Sequence, residues 1–205
     1  MGSPMLARTI LAKIASRYPI FGVVTQPDRP AGRGKQITPP PVKLLAKELG
    51  CRIIQPEKLR QSENFSQLKE WAPDIILVAA YGQILRQNVL DLPRLGCINV
   101  HASLLPRWRG AAPIQAAILH GDPVTGVCIM KMDAGIDTGP VYASREVRIE
   151  TADNSQTLSE KLAETGGDLL LETLPSILDG TAVPEKQPEN GATYASMLKK
   201  EDGLL

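Results

Sequence analysis

The sequence has little excess charge, few histidines and no long hydrophobic run. Its 205 residues include 23 basic and 22 acidic side chains, for a formal net charge of +1. A protein that grips nucleic acid over a broad face usually carries a basic excess. Any contact with RNA should therefore be local, or should depend on something outside this chain.

Cysteine is scarce as well, and Cys51, Cys97 and Cys128 lie far apart in the chain. There is no Cys-x-x-Cys pair, so we predict no metal site and expect small buried thiols in a reducing compartment. No apolar run approaches the ~20 residues that cross a bilayer. The N-terminus lacks the apolar block of a signal peptide. We therefore expect a soluble, cytoplasmic protein.

Short β-branched runs alternate with helical patterns. Strands are expected at residues 20–25, 52–54, 75–79, 97–100, 127–131 and 141–148, and helices at 5–16, 41–49, 63–71, 112–120 and 155–178. This alternation predicts an α/β fold with a mostly parallel sheet and helices on both faces. Segments 75–79 and 97–100 are apolar throughout, as expected of buried central strands. No internal repeat is present.

Open sheets of this kind bind ligands beyond the carboxyl ends of their strands. Three segments follow predicted strands directly, at residues 81–83, 101–103 and 133–139, and they contain most of the unusual residues. We therefore expect a functional site to form where these segments meet.

The two histidines differ in context. His120 ends a helical pattern before Gly121, where a cation complements the helix dipole, which favours a structural role. His101 follows a buried strand, two residues after Asn99. In an extended chain these two side chains point to the same face. An amide donor and an imidazole in one crevice can stabilise an oxyanion and transfer a proton.

An imidazole that acts in this way needs a carboxylate to orient it. Asp133 and Asp137 are candidates, since both lie in a glycine-containing segment after the next strand. A solvated turn between two strands would have the same composition. Because the pattern shows no metal cluster and no serine or cysteine nucleophile, acyl transfer, formyl transfer and hydrolysis all remain open.

Residues 26–35 form the densest basic and glycine-bearing segment of the chain. Its three cations, Arg29, Arg33 and Lys35, suit phosphate contact, although an ordinary solvated loop can have the same composition. A second basic spot, at residues 107–110, directly follows the candidate active-site segment.

Residues 96–106 resemble the signature of formyltransferases that use 10-formyltetrahydrofolate, and residues 135–139 resemble the second catalytic segment of that family. Segments 26–35, 107–115 and 130–139 resemble those members that formylate methionyl-tRNA. The resemblance extends from about residue 2 to residue 203. It implies a Rossmann-like fold of the formyltransferase type, with formyl transfer from the folate to the amino group of initiator methionyl-tRNA in translation initiation.

The resemblance also implies roles for single residues. Asn99, His101 and Asp137 match the catalytic positions of the family. The positions matching its folate site are Ser103, Leu104, Leu105, Pro106, Gln83, Ile84, Leu85 and Asp133. The loop that carries Arg29, Arg33 and Lys35 matches the one that inserts near the tRNA acceptor end.

Both ends of the chain depart from the family pattern. Residues 2–7 match a segment that follows the first strand of family members, so we expect that strand to be missing. We expect residues 1–190 to form the catalytic domain and residues 191–205 to begin a linker to an absent tRNA-binding domain. A monomer is expected. Two alternatives remain: an inactive or folate-binding fragment, and a formyltransferase or hydrolase with a small acceptor.

Overall fold

The computed structural model of the protein describes residues 1–32, 34–59, 61–199 and 202. The helices are α1 Met5–Ala15, α2 Pro41–Glu48, α3 Ser62–Glu70, α4 Gln87–Leu90, α5 Pro113–Leu119 and α6 Ser155–Leu178. The strands are β1 Gly22–Val24, β2 Arg29–Ala31, β3 Gln36–Thr38, β4 Arg52–Ile54, β5 Ile76–Val78, β6 Cys97–His101, β7 Arg109–Gly110, β8 Val124–Lys131, β9 Val141–Arg148 and β10 Tyr194–Ala195.

The central sheet has the order β5-β6-β8-β9, and β1 and β4 form a separate parallel pair. Strands β5 and β6 are parallel, whereas β6 pairs with β8, and β8 with β9, in antiparallel fashion. The α/β class is confirmed. The expectation of parallel pairing holds for β1–β4 and β5–β6, whereas β6–β8 and β8–β9 are antiparallel.

Helices cover both faces of this sheet. Ile98 and Val100 of β6 belong to a hydrophobic core that α1 and α6 complete on one face. Cys97, the residue beside Ile98, belongs to a second core on the other face with side chains of α3 and α4. Strand β6 is buried over its whole length, as expected of a central strand, and the buried residues include the polar Asn99 and His101.

The longest helix, α6, starts at a capping box, in which the Asn154 side chain accepts from the Gln156 and Thr157 N–H groups and Thr157 Oγ1 accepts from the Asn154 N–H. It continues without a break through Gly166 and Gly167. A Cβ on Gly166 would lie 2.8 Å from a methyl group of Val100. Glycine at this position therefore lets α6 approach the sheet closely.

A gap separates β1 from β5. In the described part of the chain no strand lies between them, and a cavity of about 500 Å³ occupies this place. It is lined mainly by apolar side chains of α1, α6 and the two flanking strands. We call it the β1–β5 slot. Residues 1 and 2 close one end, where the Gly2 N–H donates to Val24 O and the Met1 carbonyl accepts from the Ala79 N–H.

Several short elements differ from the sequence expectation. The basic segment expected as a loop forms the antiparallel hairpin β2–β3. The two-residue strands β7 and β10, which were not predicted, pair with each other. Strand β8 starts three residues earlier than predicted. None of the helices in the described part of the chain has the length and apolarity needed to span a membrane.

Candidate active site

Strand β6 places Asn99 and His101 on the same face of the sheet, as their spacing predicts. Both side chains are buried, at 8% and 5% exposure. The intervening Val100 points into the opposite core. The period-two alternation of a strand is thus sufficient to bring an amide and an imidazole together.

The loop at residues 132–140 reaches this pair from an unexpected direction. Because β8 is antiparallel to β6, Lys131 at its end pairs with Ile98, far from His101. The expectation that this loop leaves from the same sheet edge as residues 101–103 is therefore wrong. The loop instead folds back over β6 and brings Asp137 to Asn99 and His101.

The Asp137 carboxylate contacts three groups. Its Oδ1 accepts from Asn99 Nδ2 at 3.3 Å, and its Oδ2 accepts from the Gly110 N–H at 2.9 Å. Oδ2 also lies 3.6 Å from His101 Nδ1. We call Asn99, His101 and Asp137 the Asn–His–Asp cluster. These positions match the catalytic trio expected from the resemblance.

The tautomer of neutral His101 follows from its partner. His101 Nε2 lies 2.9 Å from the Trp108 carbonyl oxygen. A carbonyl can only accept, so Nε2 carries the proton and Nδ1 presents its lone pair toward Asp137. His101 can accept a second proton at Nδ1, where the carboxylate would stabilise the resulting imidazolium.

The backbone around the cluster is unusual. Trp108 has φ +60°, Gly110 φ +112° and Asp137 φ +52°. A Cβ on Gly110 would also lie 2.7 Å from the Ala195 carbonyl oxygen. Such conformations cost about 1–3 kcal/mol each for residues other than glycine, and they persist where the surroundings enforce them.

The basic spot at residues 107–110 is engaged within the protein. Arg107 makes two hydrogen bonds to the Asp122 carboxylate, which also accepts from Trp108 Nε1 at 2.7 Å. Mainly through the Arg107 hydrogen bond, the pKa of Asp122 falls below its ordinary value. The His120 ring packs on Trp108, in agreement with a structural role. These contacts hold the segment that carries the Trp108 carbonyl.

A segment near the C-terminus completes the site. We call residues 185–195 the strap. Thr193 accepts from the Arg109 N–H at 2.9 Å, and Glu185 exchanges two backbone hydrogen bonds with Val141. Within the strap, the buried Gln187 side chain contacts Arg109 and the backbone of Asp137 and Gly139. Sequence reasoning missed Gln187, because the polar, proline-bearing segment around it shows no helix or strand pattern.

The expected folate-site residues show different degrees of engagement. Ser103 Oγ donates to the Arg107 carbonyl at 2.6 Å, and Leu105 N–H contacts Cys128 Sγ. The segment Ser103, Leu104, Leu105 and Pro106 contains a cis bond between its last two residues and adjoins His101.

Residues 83–85 follow β5 at the same sheet edge as His101, since β5 and β6 are parallel. The Gln83 amide is engaged with the Leu59 N–H and the Pro56 carbonyl. Ile84 is 85% exposed, whereas Leu85 is buried. The Asp133 carboxylate accepts from Gly135 N–H and Thr138 Oγ1, so it orders its own loop. A second, polar cavity of about 420 Å³ adjoins Asp133 and Lys131.

The expected RNA-contacting residues lie on the β2–β3 hairpin. Arg29 and Lys35 are exposed there, while Arg33 lies outside the described residues. The base of the hairpin is anchored, because Asp28 accepts from Lys43 Nζ at 2.6 Å and from Gln55 Nε2 at 2.7 Å. The hairpin therefore presents cations on a fixed base.

Neither metal nor thiol chemistry is evident in the described part of the chain. There, no group of three or more His, Cys, Asp or Glu side chains could hold a metal ion. Burial raises the pKa of Cys97 to about 12 and that of Cys128 to about 11, so both stay protonated at neutral pH.

An amide, an imidazole and a carboxylate therefore meet at one buried place on an α/β sheet. Residues 2–174 match the family described as Formyl transferase, and the chain belongs to that family. Methionyl-tRNA formyltransferase from Halorhodospira halophila is 55% identical over 183 residues, which cover 89% of this chain and 59% of that protein. The Geotalea daltonii protein of the same name is 50% identical, over 100% of this chain and 66% of its own length.

The chain therefore spans about three-fifths to two-thirds of the length of these relatives. Among solved structures, phosphoribosylglycinamide formyltransferase from Streptococcus pneumoniae superposes with a TM-score of 0.69 at 22% identity, covering 86% of this chain and 96% of that one. At this identity the likeness supports the fold, which is the Rossmann-like arrangement expected.

Proposed function

We propose that the chain transfers the formyl group of 10-formyltetrahydrofolate to the α-amino group of methionine on initiator methionyl-tRNA, for translation initiation. The observation that carries this proposal is the convergence of Asn99, His101 and Asp137 at one buried site. The names of the two relatives at 50% and 55% identity support the choice of acceptor.

The geometry supports a direct transfer. The amine attacks the formyl carbon, and a tetrahedral intermediate with a negatively charged oxygen forms. Asn99 donates one amide N–H to Asp137, which leaves its second N–H for this oxygen. The attacking nitrogen loses a proton to His101 Nδ1, directly or through a water held by Asp137. Collapse of the intermediate expels tetrahydrofolate, whose nitrogen takes up a proton.

The folate would lie along the sheet edge formed by residues 83–85 and 103–106. The exposed Ile84 and the backbone of the loop at residues 133–137 offer apolar contact and hydrogen-bonding groups for a pterin ring. Since the side chains of Gln83 and Asp133 have partners within the protein, we assign them to shaping this pocket.

We further propose that Arg29, Arg33 and Lys35 contact the phosphates of the tRNA acceptor end. Residues 1–190 would form the catalytic domain, and residues 191–205 would begin the connection to further tRNA-binding structure. The pairing of Thr193 and Ala195 with residues 109–112 fits a connection that starts on the catalytic domain itself. We propose a cytosolic, monomeric protein.

The deciding experiment compares acceptors. Purified protein is incubated with 10-formyltetrahydrofolate and either initiator methionyl-tRNA, glycinamide ribonucleotide or an amino-sugar nucleotide, and formylated product is measured by mass spectrometry. We expect product with methionyl-tRNA and a kcat/KM at least about 10²-fold lower with the small amines. Preference for a small amine would overturn the acceptor. Folate binding without product for any acceptor would favour the binding fragment.

A further inference from the structure

Gln187 is a buried amide in which both ends are fully engaged. Its Oε1 accepts from Arg109 Nε at 3.1 Å and from Arg109 Nη2 at 2.9 Å. Its Nε2 donates to the Asp137 carbonyl at 2.9 Å and to the Gly139 carbonyl at 2.7 Å. The side chain is 6% exposed.

These partners allow only one orientation of the Gln187 side-chain amide. A guanidinium can only donate and a backbone carbonyl can only accept, so a flipped amide would oppose donor to donor and acceptor to acceptor. The loop backbone at Asp137 and Gly139 is consequently attached to Arg109 through Gln187, by four directional hydrogen bonds. A buried network with every group satisfied is rigid, and it is costly to disturb.

The hydrogen bonds of Gln187 act on the Asp137–Gly139 turn, whose backbone is strained. Asp137 is a non-glycine residue at φ +52°. Gly139 lies so close to Lys131 that an added Cβ would be 1.9 Å from its carbonyl oxygen. Gln187 binds the carbonyls of both residues, at the two ends of this turn. The strained Asp137 conformation is therefore enforced from outside the loop.

Arg109 and Gly110 connect the hydrogen bonds of Gln187 to the Asp137 carboxylate. Arg109 holds Gln187, and the next residue, Gly110, donates its N–H to Asp137 Oδ2 at 2.9 Å. The same short strand, β7, thus fixes Asp137 twice: once through its backbone by way of Gln187, and once through its side chain. Together these contacts determine where the carboxylate lies relative to His101 Nδ1.

We propose that Gln187 is a positioning residue, which clamps the Asp137–Gly139 turn to Arg109 and thereby aims the Asp137 carboxylate at Asn99 and His101. Gln187 does not touch the reacting atoms and acts only through Asp137. Its effect on catalysis rests on the proposed function, whereas its effect on the loop does not.

The first test is a double-mutant cycle with Asp137. Gln187→Glu preserves the side-chain shape and the pairing with Arg109 but places an acceptor against two carbonyls. We expect kcat to fall about 10- to 100-fold, as small misplacements in active sites do, with less than about a threefold change in KM for the folate. In an Asp137→Asn background, Gln187→Glu should lower kcat less than about twofold, because the carboxylate that Gln187 positions is already absent.

The controls separate positioning from general damage. Gln156→Glu alters an exposed glutamine on α6 and should leave kcat unchanged. Gln187→Leu removes all four bonds and should lower kcat at least as much as Gln187→Glu. Equal losses from Gln187→Glu with and without Asp137→Asn would indicate a role independent of Asp137 and would overturn the proposal.

A second measurement needs no activity. Hydrogen exchange followed by mass spectrometry should show faster exchange at residues 132–140 in both Gln187 variants, with exchange in α6 unchanged. If wild-type protein proves inactive, the proposed function fails, and this measurement still decides the clamp. Unchanged exchange at residues 132–140 in variants that remain folded would refute the inference.

Discussion

At the residue scale, the site depends on how the Asp137 carboxylate divides its two oxygens. Oδ1 faces the amide of Asn99, and Oδ2 faces a backbone N–H and the His101 ring. The carboxylate can therefore orient an oxyanion donor and stabilise a protonated imidazole at the same time. In the proposed reaction, each member of the Asn–His–Asp cluster has its own contribution.

We expect Asn99→Ala, His101→Ala and Asp137→Ala each to lower kcat about 10²- to 10³-fold, the usual cost of losing one oxyanion donor or one acid–base group. Steady-state formylation of methionyl-tRNA measures this loss. Asn64→Ala, at a half-buried position of α3, is the matched control and should retain wild-type kcat. Near-normal turnover in any of the three variants would remove that residue from the mechanism.

A second prediction concerns Gly110, where a side chain faces two penalties. Gly110→Ala would force φ +112° on a residue with a Cβ, and that Cβ would lie 2.7 Å from Ala195 O. We expect a loss of about 2–4 kcal/mol in the free energy of unfolding, from urea denaturation.

Gly191→Ala provides the control for Gly110→Ala. Gly191 also has a positive φ, +83°, but an added Cβ would have no neighbour within 4 Å. Gly191→Ala should therefore show only the cost of the positive φ, about 1 kcal/mol in the free energy of unfolding. Equal losses at the two positions would mean that the contact between Gly110 and the strap contributes nothing.

Some of these residues were accessible from the sequence and others were not. Asn99 and His101 could be paired because alternation along a strand depends only on spacing. Position in the sequence offers both Asp133 and Asp137 as carboxylate candidates, and only the resemblance selects Asp137, since its loop leaves β8 at the opposite sheet edge. Gln187 has no local signal, because its partners lie 48 to 78 residues away in the chain.

At the element scale, strand position was more predictable than strand direction. The buried strands are short apolar segments, and such a segment predicts a strand whether its pairing is parallel or antiparallel. Direction depends on the connection, and the path from β6 to β8 through β7 and α5 reverses the chain. The two-residue strands β7 and β10 carry no periodicity, so only the folded strap reveals them.

The β2–β3 hairpin makes a prediction about RNA at this scale. If Arg29 and Lys35 contact phosphates, Arg29→Ala and Lys35→Ala should each weaken methionyl-tRNA binding and lower the slope of log K against log salt by about 1. Fluorescence anisotropy across a salt series gives this slope. Lys69→Ala, an exposed lysine on α3, should leave both quantities unchanged. Unchanged slopes in the hairpin variants would exclude these phosphate contacts.

At the scale of the whole molecule, the β1–β5 slot is the main departure from a closely packed interior. Protein interiors seldom contain voids much larger than a water molecule. Within the described residues, about 500 Å³ separates the β1–β4 pair from the four-stranded sheet, and residues 1 and 2 bridge the two.

We predict that an extended apolar segment of about five residues, joined ahead of Met1, fills the slot as a strand parallel to β1 and β5. The segment provides backbone partners to both flanking strands, so we expect a higher midpoint of thermal unfolding. A proline-rich segment of equal length is the control, because it cannot complete the hydrogen bonds of a central strand. It should not match the gain in midpoint. Equal midpoints for the two segments would show that the slot does not accept a strand.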